Sequence, residues 1–103
     1  MPNRYFFLLL FIAIAALAQE YDPAAKIRQG QPKPVAVLID RIVDCNHLGG
    51  EEGYDADRVK EITAAATKLR CNQIEQDEAA LVKKYHGDKK VTKALAEAHE
   101  TYP

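Results

Sequence analysis

LRCNQI (residues 69–74) and VDCNHL (residues 43–48) hold the only two cysteines of the 103-residue chain in one frame: aliphatic, charged, Cys, Asn, polar, aliphatic. Each frame lies where a stretch of helical periodicity runs out, so the echo reads as two helix ends brought face to face. An even cysteine pair in an exported chain predicts a disulfide, because the compartment is oxidising and a small core benefits from a cross-link. With two cysteines the pairing is Cys45 to Cys71. Closing that loop removes denatured-state entropy worth about 3.5 kcal/mol. Duplication of a helix–turn unit would also produce the echo, but the following residues, GGEEGY and EQDEAA, do not continue it.

The expectation of export comes from the N-terminus. Arg4 precedes the apolar run FFLLLFIAIAAL, which ends at Ala16-Leu17-Ala18 ahead of Gln19-Glu20. This is the pattern of a secretory signal peptide over residues 1–18. The run is about a dozen residues, short of the ~20 a spanning helix needs, so no membrane span is expected after cleavage. The mature chain is expected to be secreted, into the periplasm in a bacterium. There is no serine and no tryptophan, and no Asn opens a glycosylation acceptor.

After the signal, residues 19–34 carry Gly30 and Pro23, Pro32 and Pro34 with few large apolar side chains, and read as a flexible, extended arm. From residue 35 the pattern becomes helical to the end of the chain. Val35, Leu38, Ile39, Ile42 and Cys45 share one face, with Pro34 in the first turn and Gly49-Gly50 as the stop. The branched run VAVLI also admits a strand. Asp55 is placed to cap a second helix with the stripe Val59, Ile62, Ala65, Ala66 and Leu69. Asn72 with Glu75 three residues on resembles a capping box for a third, whose face holds Ile74, Leu81, Val82 and Tyr85 and which Gly87 ends. Asp88 opens a fourth with Val91, Ala94, Leu95 and Ala98. The predicted fold is therefore all-α: a small bundle of about four short helices over residues 35–103, stapled by one disulfide.

Charge gives the most specific functional signal. Residues 19–81 carry eight basic and twelve acidic groups, residues 82–103 five and three. The basic excess is concentrated in KKYHGDKKVTK, where Lys83, Lys84, Lys89, Lys90 and Lys93 surround Tyr85 and His86 with Asp88 as the one acid. Such a patch suits an anionic protein, a glycan or an envelope surface. The near-balanced total charge argues against nucleic acid.

No constellation for catalysis assembles from the sequence. Serine chemistry is absent by composition, and bonded thiols are not nucleophiles. His47, His86 and His99 have no nucleophile beside them. A carboxylate-dependent hydrolase acting through Glu75, Asp77 or Glu78 is the enzymatic alternative, although acids in a helix's first turn also suit its dipole. Zinc held by Cys45, His47, Cys71 and His86 or His99 would compete with the disulfide for both sulfurs. The acids Glu51, Glu52, Asp55 and Asp57 lack the alternation and closing glutamate of a calcium loop. No cofactor is expected. In size, export and a single cysteine pair the chain is comparable to acid-activated periplasmic chaperones, with no motif extending the comparison beyond class. The expected function is a non-enzymatic binding or envelope-maintenance protein contacting its partner through the lysine-rich patch, with a stress-responsive chaperone as the alternative.

Overall fold

The computed structural model describes residues 21–103, and the expected signal peptide lies outside them. All regular structure among the described residues is helical: α1 (Ala25–Arg28), α2 (Lys33–Gly49), α3 (Ala56–Lys68), a 3-10 turn (Cys71–Gln73), α4 (Ile74–Lys84) and α5 (Lys89–His99). None of these helices is long and apolar enough to cross a membrane.

The core is built on α2 and α5. Val35, Leu38, Ile39, Ile42 and Val43 are buried on α2, and Val91, Ala94, Leu95 and Ala98 on α5. The alternation of large residues on α2 with Ala94 and Ala98 on α5 suits close approach, since interhelical distance is set by the side chains at the contact. Val35 and Leu38–Ile39 point inward while Val37 remains half exposed, a period of 3.6, so VAVLI is helix and not strand. α4 leans on this pair through Ile74, Leu81, Val82 and Tyr85, all partly buried.

Capping follows the sequence at two of three predicted starts. The Asp55 carboxylate accepts from the Arg58 backbone N–H at 2.7 Å and opens α3, and Asp88 accepts from Lys90 at 2.8 Å to open α5. The Asn72–Glu75 capping box does not form. Arg70 turns the chain left-handed at φ 56°, Cys71–Gln73 winds into the 3-10 turn, and α4 starts at Ile74 with no side-chain cap. Cys71 is fixed by its bridge to Cys45, with the two Cα atoms 5.7 Å apart, and Asn72 lies inside the turn, where the extended geometry of a cap is not accessible. The stop after α4 is more elaborate than a single glycine. His86 at φ 52° and Gly87 at φ 70° follow Tyr85, and Gly87 N–H donates to Val82 O while His86 N–H donates to Lys83 O. That is a Schellman ending with histidine at the left-handed position.

Within the arm, residues 22–31 differ from the extended leader predicted. Asp22 accepts from the Ala24 N–H at 3.1 Å and α1 follows. Ala24 is buried, Ile27 packs on the core, and Arg28 bridges Asp22 to Asp40 of α2, the latter at 2.8 Å. Gly30, at φ 74°, turns the chain so that Gln31 Nε2 donates to Lys90 O at 3.2 Å. Prolines and a glycine here define bends in a segment docked by the Arg28 ion pairs, by Ala24 and Ile27 against the core, and by the Gln31 hydrogen bond.

Candidate functional site

The lysine-rich stretch occupies the corner between α4 and α5. Lys83 and Lys84 end α4, His86 lies in the turn, and Lys89, Lys90 and Lys93 open α5; all six are exposed. Tyr85 is the anchor: its ring is partly buried against the core, and Lys84 Nζ lies 5.6 Å from the ring centroid, within reach of a cation–π contact. Asp88, the one acid in the stretch, is engaged at the α5 N-terminus. Among the described residues no salt bridge joins any of these five lysines to a carboxylate.

The fold adds two surfaces that the sequence did not associate with the lysines. One is an open cleft of about 340 Å³ between α1 and α5, lined by Lys90 and Lys93 on one side and Lys26 and Gln31 on the other, with Glu97 as its one acid. Lys26 belongs to the arm and was missed because the arm was not expected to pack. The other is a groove between α2 and α4 that ends at Lys84.

Other candidate residues are engaged elsewhere. Cys45 and Cys71 form the disulfide, so both sulfurs of the zinc alternative are consumed. His47 Nε2 lies 2.9 Å from Glu51, and His99 Nε2 lies 2.8 Å from Glu78. Glu51 also contacts Arg58, which reaches Glu61 at 2.8 Å, so acids of the 51–57 turn serve caps and ion pairs. Asp77 meets Arg41 at 2.9 Å and Arg70 at 4.0 Å, while Glu75 is exposed. The three acids of the hydrolase alternative are thus an ion pair, a histidine partner and a free surface group.

A third cleft, of about 550 Å³, is lined by Asp22, Arg28, Asp40, Asp44 and His47. The hydrogen bond from Arg28 holds the Asp22 carboxyl below its ordinary value. Asp44 lacks such a partner: burial raises its pKa, the Asp40 and Asp22 charges add to the rise, and His47 opposes it. Among the described residues no group of three or more His, Cys, Asp or Glu is arranged to hold a metal ion. The chain matches no known protein family, no curated protein and no solved structure.

Proposed function

We propose that this is a small exported, non-enzymatic binding or envelope-maintenance protein that presents the Lys83–Lys93 corner to an anionic partner. The observation that carries the reading is a local sign conflict. Lys89, Lys90 and Lys93 crowd the start of α5, the positive end of a helix dipole, where cations are disfavoured and anions are stabilised. Exposed charges contribute little to folding, so this clustering serves association at small cost to stability. An anionic partner would relieve the conflict, with Lys26 contributing from across the cleft.

The test is retention on an immobilised sulfated polysaccharide. Wild-type protein is expected to bind at low salt and elute as salt rises, and the triple reversal Lys84→Glu, Lys89→Glu, Lys90→Glu to pass through unretained with its helical circular dichroism intact. Equal retention of the two proteins would move the contact surface to the apolar faces or the arm.

The acid-responsive chaperone is the second reading, supported by the His47–Glu51 and His99–Glu78 contacts, which fasten the ends of α2 and α5. It requires suppression of client aggregation that sets in on acidification, and is abandoned if suppression is independent of pH.

A further inference from the structure

The groove between α2 and α4 has the make-up of a ligand site. It is an open groove of about 300 Å³, with Val37 and Leu38 on one side and Ala80 and Leu81 on the other. Leu38 is 1% exposed, whereas Val37 stays 50% exposed, so an apolar wall continues from the core out to solvent. The charges at its margins are unequal in state. Arg41 lies 2.9 Å from Asp77 and donates to Leu69 O at 2.9 Å and Arg70 O at 3.2 Å, while the buried Asp77 Oδ2 accepts no hydrogen bond among the described residues, so the end of the groove away from Lys84 holds an ion pair. Lys84 has no carboxylate partner among the described residues, and its ammonium lies 5.6 Å from the Tyr85 ring centroid. The groove is therefore apolar in its middle, with the Arg41–Asp77 ion pair at one end and Lys84, which has no carboxylate partner among the described residues, at the other.

We infer that the α2–α4 groove binds a single-chain anionic amphiphile, with its carboxylate at Lys84 and its alkyl chain along Val37, Ala80 and Leu81. This deepens the proposed function and rests on it for the role of Lys84 as part of an anion-binding surface. The argument is one of complementarity. Apolar wall and free cation adjoin, as tail and head adjoin in a fatty carboxylate, and the volume is at the small end of the range of about 300–1,000 Å³ occupied by small-molecule sites.

Titration of the intact protein with octanoate, decanoate and dodecanoate below their micelle concentrations, followed by calorimetry and by methyl chemical shifts, tests the assignment. Saturable binding is expected, tightening about fourfold per added methylene buried, with shifts at Val37, Ala80 and Leu81. Decanol should bind more weakly than decanoate, and decyltrimethylammonium more weakly still. Ala80→Phe, a substitution at an exposed position, should fill the groove and remove decanoate binding while leaving polysaccharide retention unchanged, and Lys84→Gln should reduce decanoate to the affinity of decanol. The wild-type shift map decides the matter even if a variant misfolds. Absence of saturable decanoate binding, shifts confined to other helices, or equal affinity for decanol and decanoate overturns the inference; so does binding of two-chain vesicles without binding of decanoate. Loss of polysaccharide retention on Lys89→Glu and Lys90→Glu reports only on the lysine corner, so failure of the groove and failure of the corner are separable.

Discussion

α3 and α5 are both short amphipathic helices capped by an aspartate, yet they are held in opposite ways. α5 buries Val91, Ala94, Leu95 and Ala98 against α2 and is part of the core. α3 has a comparable stripe, but none of its residues is buried and Val59 remains 47% exposed. What fixes α3 is its ends. Asp55 caps its start, Arg58 reaches Glu51 of the preceding turn, Arg41 donates to the carbonyls of Leu69 and Arg70 just past its end, and the Cys45–Cys71 bridge follows. A helix can thus be positioned by face or by terminus. The first mode draws on burial of apolar area, the second on hydrogen bonds and covalent constraint.

The sharpest way to break this contrast is to truncate each stripe. Leu95→Ala should cost about 2–5 kcal/mol in urea-induced unfolding, as expected for a fully buried leucine, whereas Ile62→Ala on α3 should cost no more than about 1 kcal/mol. Equal losses would show that α3 packs as tightly as α5. Removing the bridge with the double variant Cys45→Ala, Cys71→Ala should lower stability by about 3 kcal/mol. Amide exchange should then speed up in α3 and the 3-10 turn well before it does in α2 and α5, since the turn holds Cys71 and α3 has no buried face to keep it in place. Uniform acceleration would contradict the end-held description.

A smaller effect is expected at Arg41. Arg41→Met keeps the aliphatic stem but leaves the two carbonyls without a donor and Asp77 without its nearer cation, a loss of about 1–3 kcal/mol, again with exchange rising first at the end of α3. The smallest effect concerns the α2 side of the contrast. Asp44 has its pKa raised in the folded chain, mainly by partial desolvation of a side chain that is otherwise exposed. Its protonated form is therefore favoured by folding: that contribution is complete below the unfolded carboxylate range and is lost as pH rises through the folded pKa, so the charged form is a mild burden at neutral pH. Asp44→Asn should raise Tm slightly at neutral pH, and the gain should vanish as the solution is acidified through the carboxylate range. A gain that persists in strong acid would assign the effect to packing instead of charge.

Much of the fold and part of the site were legible in the chain because they are local. The stripes of α2 and α5, the Asp55 and Asp88 caps and the lysine corner are patterns within a few consecutive residues. Asn46 marks the limit. In the sequence it was the residue after a cysteine, with an echo in Asn72; in the fold its side-chain amide reaches the carbonyls of Ala98, His99 and Thr101, each at 3.1 Å, and closes the end of α5, while Asn72 is exposed in the 3-10 turn. Two residues in matching frames have unrelated surroundings. Arg41 is a similar case, placed by periodicity on an outward face and found at the junction of three elements.

By itself the sequence determined that the chain is helical, where most helices begin and end, which cysteines pair, and where basic charge accumulates, since each depends on periodicity, capping chemistry, or counting. Only the tertiary structure decided that α2 and α5 form the core while α3 is tethered at its ends. It also decided that Arg28 docks the arm and that Lys84 stands beside an apolar groove. Those outcomes depend on contacts between residues far apart in the chain, and a side chain's reach to a distant carbonyl or carboxylate has no period for a sequence to display.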